Sequence, residues 1–137
     1  MKTMQGRTIF ITGGSRGIGR AIAIKAAQAG ANVVIAAKTA IETPKLSGTI
    51  YSVAEEIKAA GGKALPLILD VRDEQQIHFA IQQTVETFGG LDVLINNAGA
   101  IALTGVESTS LKQYDLIQTI NHRATFICAQ AALPFLK

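Results

Sequence analysis

The sequence of 137 residues has few of the residue types that cross-link a protein or anchor it in a membrane. It contains one cysteine, Cys128, and no tryptophan. A single cysteine excludes an intramolecular disulfide and a metal site built from cysteines. No apolar run approaches the roughly 18 residues of a membrane-spanning helix. The N-terminal segment MKTMQGRTIF has too short an apolar stretch for a signal peptide. We therefore expect a cytoplasmic protein with no membrane partner.

Charge is also sparse, since charged residues make up 17% of the chain. There are 13 basic and 10 acidic residues, and no window holds a run of like charges. This mild excess of +3 suits a small anionic ligand and does not indicate a nucleic-acid partner. Hydrophobic residues reach 48%, and the length fits one domain, which we place at residues 1–137.

Apolar strand patterns alternate with helical patterns along the whole chain. The predicted strands are residues 7–12, 32–37, 64–69 and 92–96. The predicted helices are residues 17–29, 50–60, 73–88 and 111 to the end. The first has Ile18, Ile22, Ala26 and Ala29 on its apolar face, and the last is bent near Asn121. Capping boxes at Asp73 with Gln76 and at Ser110 with Gln113 begin the last two helices. Residues 39–48 read as irregular.

This alternation predicts an α/β fold with a doubly wound parallel sheet. Strands joined through helices pair in parallel by right-handed crossovers, and nearly all-apolar strands are covered on both faces. The full dinucleotide-binding form of this fold has six strands in the order 3-2-1-4-5-6. The four predicted strands correspond to the first four of that order, so the pattern is incomplete at its C-terminal side.

A glycine-rich loop joins the first predicted strand to the first predicted helix. Gly13, Gly17 and Gly19 can adopt positive φ and let a ligand approach the backbone. Free N–H groups and the helix dipole favour an anion at such a place, which predicts a pyrophosphate site. The alternative is a tight turn without a ligand, although Gly14 makes more glycines than a turn needs.

Four motifs in order resemble the short-chain dehydrogenase/reductase family over nearly the whole chain. TGGSRGIG at residues 12–19 matches its TGxxxGxG pattern, and NNAG at residues 96–99 matches its second motif. Asp70 and Val71 end the third strand, where members hold the adenine, and Asn121 stands at the position of the active-site asparagine. The long segment 38–57 resembles the branch of hydroxysteroid dehydrogenase-like and citronellol dehydrogenase-like enzymes.

The resemblance implies a nicotinamide cofactor and a hydride transfer to or from an alcohol or carbonyl substrate, with an aliphatic or lipid-like molecule as one candidate. It assigns cofactor binding to Gly13, Ser15, Arg16, Gly17, Ile18, Gly19, Lys38, Asp70, Val71, Asn97, Ala98 and Gly99. The last helical stretch, ATFICAQAALPFLK at residues 124–137, is apolar on more than one face. It either packs against its own sheet or, as the resemblance implies, pairs with a second subunit, so we expect a homodimer or homotetramer.

Two positions bear on the choice between NADP(H) and NAD(H). An NAD site usually has a carboxylate at the end of the second strand, where this chain has Ala36 and Ala37 followed by Lys38. Lys38 can pair with a 2′-phosphate, and Arg16 can add a forked contact. The pair favours NADP(H). The alternative is that both are solvated surface charges.

The catalytic residues that the family implies are only partly present. The resemblance gives a role to Asn121, but members also use a serine and a tyrosine with a lysine four residues later. Tyr51 is followed at that spacing by Glu55, and Tyr114 by Gln118. We therefore expect the 137 residues alone to be inactive and to belong to a longer natural enzyme; the alternative is a degenerate member of the family.

Two further readings stay open. One is a non-catalytic dinucleotide-binding or assembly module, and the other is a different Rossmann enzyme such as a methyltransferase, against which NNAG and Asn121 argue.

His78 and His122 lack enough neighbouring ligands for a metal site. Cys128 reads as a core residue. The apolar start of the segment 100–109 fits an apolar substrate and fits packing within the loop equally well.

Overall fold

The computed structural model describes residues 3–41 and 48–137. Its strands are β1 (Thr8–Thr12), β2 (Asn32–Ala37), β3 (Lys63–Ile68) and β4 (Val93–Ile95). Its helices are α1 (Gly17–Gln28), α2 (Ile50–Ala59), α3 (Glu74–Phe88), α4 (Leu111–Gln118) and α5 (Ala124–Leu136), with a π-helical turn at Thr119–Arg123. The predicted elements are confirmed. Residues 42–47 of the predicted irregular segment lie outside the described residues.

The strands form one parallel sheet in the order β3-β2-β1-β4. This confirms the first four strands of the predicted doubly wound order. In register, Phe10 of β1 lies between Val34 of β2 and Leu94 of β4. Pro66 lies in β3, an edge strand of the described sheet, where a missing N–H costs least.

Alternate residues of each strand face two separate cores. Ile9 and Ile11 pack with α1 and α2 on one face, whereas Phe10 packs with α3 and α5 on the other. Because every strand runs in the same direction, the loops after β1, β2, β3 and β4 all emerge at one edge of the sheet.

The apolar face predicted for α1 is wrong in its first turn. Ile18 is 74% exposed, whereas the buried residues of α1 are Gly19, Ala23, Ala26 and Ala27. The helix packs through this stripe of glycine and alanine, which lets its backbone approach the sheet closely. The prediction ranked residues by hydrophobicity and did not weigh their size.

The predicted capping box at Asp73 is only half formed. The carboxylate of Asp73 accepts from the backbone N–H groups of Gln75 and Gln76. Among the described hydrogen bonds, the side chain of Gln76 does not accept from the Asp73 N–H, which a complete box requires. It accepts instead from the Asp70 N–H at 3.0 Å and donates to the Asp73 carboxylate at 3.2 Å. The predicted box at Ser110 is half formed as well: the Ser110 hydroxyl accepts from the Gln113 N–H, and the described hydrogen bonds include no return bond from the Gln113 side chain.

Within residues 3–41 and 48–137, no helix has the length and apolar character needed to cross a membrane.

Candidate functional site

A cleft of about 390 Å³ opens at the edge of the sheet where the four loops emerge. Its size falls within the range of small-molecule pockets. Most residues predicted to bind the cofactor line it, namely Gly13, Ser15, Arg16, Lys38, Asp70, Val71, Asn97, Ala98 and Gly99. Gly17, Ile18 and Gly19 do not line it, although they follow directly in the chain. The remaining lining residues are Ala36, Ala37, Thr39, Leu69 and Ile120.

Hydrogen bonds from side chains hold the glycine loop and the NNAG segment together. The side-chain amide of Asn97 donates to the carbonyl of Gly13 at 2.9 Å. The hydroxyl of Thr12 accepts from the N–H groups of Asn97 and Ala98, each at 3.0 Å. A Cβ at Gly19 would lie 2.5 Å from the Asn97 amide nitrogen and 2.6 Å from the Gly13 carbonyl. Gly19 is therefore needed for this internal packing.

The N-terminus of α1 is suited to an anion. Within the described residues, no side chain caps α1, whose N-cap is Arg16, and its first turn has no acidic residue. Thr49, Asp73 and Ser110, in contrast, cap α2, α3 and α4. The unshared N–H groups of a first turn, together with the helix dipole, attract phosphate oxygens. The loop thus fits the pyrophosphate of a dinucleotide.

The end of the cleft next to β2 is cationic. Arg16 and Lys38 both line it, and the Arg16 guanidinium donates to the hydroxyl of Thr39. The Thr39 carbonyl in turn accepts from the Ile50 N–H at 3.0 Å, at the start of α2. Sequence reasoning missed Thr39. The signal was a hydroxyl residue directly after Lys38 at the end of the second strand.

Asp70 is the only acidic residue among those described around the cleft. Its carboxylate accepts from Nε of Arg72 at 2.9 Å and from Nη2 at 2.6 Å. These hydrogen bonds lower the pKa of Asp70 from 3.8 to about 2, and the positive charge of Lys38 adds to the effect. The carboxylate is therefore an ionised acceptor throughout the neutral range.

Asn121 lies in the π-helical turn and bonds to the backbone that follows NNAG. Its amide nitrogen donates to the Ala100 carbonyl at 2.7 Å, and its amide oxygen accepts from the Ala100 N–H at 2.8 Å. Its side chain does not line the described cleft, whereas its neighbour Ile120 does. The sequence predicted a bend here, and the structure has a π-helical turn, a feature often found at functional sites.

The other candidate residues lie away from the cleft. Tyr51 is 50% exposed and Tyr114 is 54% exposed, and His78 and His122 are exposed as well. Cys128 is buried as predicted, and burial raises the pKa of its thiol to about 11. No group of three His, Cys, Asp or Glu residues in the described part of the chain could hold a metal ion.

Comparisons with known proteins agree with this geometry. The model of a family described as short chain dehydrogenase matches residues 7–137. Hydroxysteroid dehydrogenase-like protein 2 from Bos taurus is 60% identical over 134 residues, which cover 98% of this chain and 32% of the relative. The chain thus spans about a third of the length of that relative. This identity confirms the resemblance to the hydroxysteroid dehydrogenase-like branch.

Solved structures give the same result. A short chain dehydrogenase from Mycobacterium thermoresistibile superposes with a TM-score of 0.94 at 50% identity, covering 97% of this chain and 48% of that one. An NADH-dependent reductase, A1-R′, crystallised with NAD, has a TM-score of 0.86 at 30% identity, covering 99% of this chain and 55% of that one. The parallel α/β fold is therefore that of these dehydrogenases.

Proposed function

The chain belongs to the short chain dehydrogenase family, and from this premise we propose that it forms the cofactor-binding part of an NADP(H)-dependent oxidoreductase. The bound nicotinamide would supply or accept the hydride, and the substrate would be a small alcohol or carbonyl compound. The observation that carries the proposal is the position of Arg16 and Lys38 together at one end of the cleft, beside the uncapped N-terminus of α1.

The preference for NADP(H) rests on charge at the end of β2. A site selective for NAD uses a carboxylate there to bind the ribose 2′-hydroxyl. β2 ends instead at Ala37, followed by Lys38, and the Arg16 guanidinium lies beside Thr39. Two cations favour a 2′-phosphate through charge-assisted hydrogen bonds, and the planar fork of arginine suits phosphate oxygens. The reductase crystallised with NAD is only 30% identical, so these local residues decide the proposal.

Each part of the cleft has its own proposed task. The glycine loop, with the first turn of α1, binds the pyrophosphate through backbone N–H groups. Asp70 and Val71 bind the adenine. Asn97 and Ala98 lie beside the nicotinamide ribose and keep the glycine loop in place through Thr12. Gly17, Ile18 and Gly19, which lie outside the cleft lining, stay predicted cofactor residues through the backbone of the first turn.

Asn121 has a proposed catalytic role, and its described bonds support a positioning contribution. Both polar atoms of its side-chain amide bond to Ala100, so the segment after NNAG is fixed against the π-helical turn. Neither Tyr51 nor Tyr114 has a lysine four residues later. We propose accordingly that these 137 residues bind the dinucleotide without completing the hydride transfer.

A non-catalytic dinucleotide-binding module is the second candidate, because the sequence lacks a Tyr-x-x-x-Lys pair. Oxidation of aliphatic alcohols by the full-length protein, followed through NADPH absorbance, separates the two candidates. Activity supports the oxidoreductase, and tight NADPH binding with no turnover of any alcohol or carbonyl compound supports the module.

The apolar surface of the last helices supports assembly. Leu111 and Tyr114 of α4 and Phe126 and Leu133 of α5 are each at least half exposed. A contiguous exposed apolar patch marks an interaction site, and these side chains on neighbouring helices are the candidates for one. We propose that α5 contributes to a homodimer or homotetramer, which sedimentation of the full-length protein tests directly. A cytoplasmic location stays a prediction from the sequence and is tested by cell fractionation.

Titration of the full-length protein with NADPH and with NADH tests the cofactor. We expect tighter binding of NADPH, and we expect the preference to be lost when Arg16→Ala and Lys38→Ala are combined. Arg7→Ala combined with Lys58→Ala is the matched control, since it removes the same charge from exposed sites away from the cleft. Tighter binding of NADH, or a preference that survives the first pair of substitutions, contradicts the proposal.

A further inference from the structure

Arg72 surrounds the carboxylate of Asp70 with three donors. Its backbone N–H donates to Oδ1 at 3.0 Å, and its Nη2 donates to Oδ2 at 2.6 Å. Its Nε is shared between the two oxygens, at 2.9 Å from Oδ1 and 3.1 Å from Oδ2. Such forked pairs of arginine and carboxylate fix geometry as well as charge. The side chain of Asp70 is 24% exposed and borders the cleft, whereas Arg72 does not line it. Arg72 therefore contacts Asp70 without being part of the described lining of the cleft.

These three donor groups limit how many further hydrogen bonds the carboxylate can accept. An ionised carboxylate offers about four lone-pair positions and no donor. With three N–H groups of Arg72 on the carboxylate, one of them shared between its two oxygens, about one acceptor position is left for a ligand in the cleft. One N–H of an exocyclic amino group satisfies that position. A carbonyl oxygen in the same place would be repelled, because both groups are acceptors.

We propose that Arg72 is a positioning residue for the base of the cofactor, holding Asp70 so that the cleft accepts adenine and rejects hypoxanthine. Adenine carries an amino group where hypoxanthine carries a carbonyl. This inference rests on the proposed function, in which Asp70 contacts the adenine of NADP(H). It adds a residue outside the cleft that sets the selectivity of the base site.

The turn around Asp70 has other supports, so removing Arg72 leaves its backbone in place. The Asp70 N–H donates to the side chain of Gln76 at 3.0 Å, and the Asp70 carbonyl accepts from the Asp73 N–H at 3.0 Å. Neither bond involves the Arg72 side chain. What Arg72→Gln removes is the fork and the charge that keep the carboxylate in one orientation.

The charge of Arg72 has a second consequence for the same ligand. Asp70 is the only acidic residue among the described lining residues, in a cleft proposed to take up phosphate groups. Arg72 offsets that negative charge at contact distance. The carboxylate can therefore serve the base without repelling the phosphates strongly.

The test compares NADP with nicotinamide hypoxanthine dinucleotide phosphate, using the full-length protein. A hydrogen bond to a charged acceptor predicts that wild type binds the adenine form about tenfold more tightly or better. We expect Arg72→Gln to reduce this ratio by about threefold or more, and Arg72→Lys, which keeps the charge without the fork, to reduce it as well. Arg7→Gln, which removes an arginine from another Arg–Asp pair at 3.5 Å, should leave the ratio unchanged.

Asp70→Asn provides the reference for coupling. Once the carboxylate is replaced, Arg72→Gln should change the ratio no further, so the double variant should match Asp70→Asn alone. An equal loss of affinity for both dinucleotides in Arg72→Gln, with an unchanged ratio, would show a purely structural role and overturn the inference. An unchanged ratio in Arg72→Lys would overturn the need for the fork.

Failure of the proposed function gives a different result. If wild type binds neither dinucleotide, the proposed cofactor is wrong and the inference falls with it. If wild type binds both equally well, NADP binding stands and the selectivity assigned to Asp70 and Arg72 is wrong.

Discussion

The side-chain amide of Asn121 bonds to both backbone groups of one residue, Ala100, which lies 21 positions earlier in the chain. The two distances are 2.8 and 2.7 Å. Together they attach the π-helical turn to the segment that follows NNAG. Asn121 thus contacts the site through the backbone, and both polar atoms of its side chain already have a partner within the protein.

Replacing Asn121 with alanine removes both bonds. We expect the free energy of unfolding to fall by about 1–2 kcal/mol, since each hydrogen bond contributes about 0.5–1.5 kcal/mol. Urea denaturation measures this loss. Gln118→Ala, at an exposed position in the preceding α4, is the control and should change stability by less than about 0.5 kcal/mol. Equal losses in both variants would show that the Ala100 contact adds no stability.

A side chain at Gly19 should disrupt the glycine loop. The Cβ of Gly19→Ala would lie 2.5 Å from the Asn97 amide and 2.6 Å from the Gly13 carbonyl, so one of these groups must move. Overpacking of this kind costs about 1–3 kcal/mol, and we expect NADPH affinity to fall about tenfold or more. Urea denaturation and NADPH titration measure the two effects.

Gly90→Ala is the matched control for Gly19→Ala. A Cβ at Gly90 meets no heavy atom within 4 Å, and its φ is not positive. We expect near-wild-type stability and binding. Wild-type behaviour of Gly19→Ala would show that the contact between the loop and Asn97 adapts freely.

The hydroxyl of Thr39 should matter for NADPH more than for NADH. Thr39→Val keeps the shape of the residue but removes the acceptor that holds the Arg16 guanidinium. Loss of one hydrogen bond to a charged group predicts NADPH binding weakened by about tenfold or more, with little change for NADH. Thr39→Ser retains the hydroxyl and should bind like wild type. Equal losses for both cofactors would assign Thr39 a role in folding only.

The pair of Asp70 and Arg72 should stabilise the protein in a defined pH range. The pKa of Asp70 is lowered from 3.8 to about 2, so the folded state favours the ionised carboxylate. The contribution is fully present above pH 3.8 and is lost as the pH falls towards 2. We expect Arg72→Gln to be less stable than wild type near neutral pH and the difference to shrink below pH 3.8.

Thermal unfolding of wild type and Arg72→Gln across that pH range provides the measurement. Arg7→Gln, which removes the arginine near Asp92, controls for the general effect of losing one surface cation. A stability difference that stays constant down to pH 2 would contradict the lowered pKa of Asp70.

The sequence predicted the fold well because local patterns determine much of it. The apolar runs of β1 and β2 had to be covered on both faces, and glycines after α1 and α2 marked helix ends. Ile18 was placed wrongly because a helix that packs through Gly19 and Ala23 turns its larger residues outwards. Hydrophobicity alone does not predict which face of α1 is buried.

Most residues that the sequence assigned to cofactor binding line the cleft, but the hydrogen bonds between them were not predicted. Lys38 and Arg16 were predicted as cofactor contacts from the positions of the two loops that carry them, and both line the cleft. The bonds of Thr12 to Asn97 and of Arg72 to Asp70 depend on side-chain geometry, and the first joins residues 85 positions apart. Nothing in the local spacing around Thr12 predicts its partner, whereas Asp70 and Arg72 are only two positions apart and their pairing depends on the turn between them.

The position of β1 in the middle of the sheet has a consequence for the order of assembly. β1 pairs with β2, which follows it after one helix, and with β4, which follows only after three helices. A growing chain can therefore form β1 with β2 and β3 well before β4 exists. The Thr12 hydroxyl gains its partners Asn97 and Ala98 only at that later stage. The cleft therefore cannot be complete before β4 has joined β1, and the core around Phe10 also needs α5, which follows β4 in the chain.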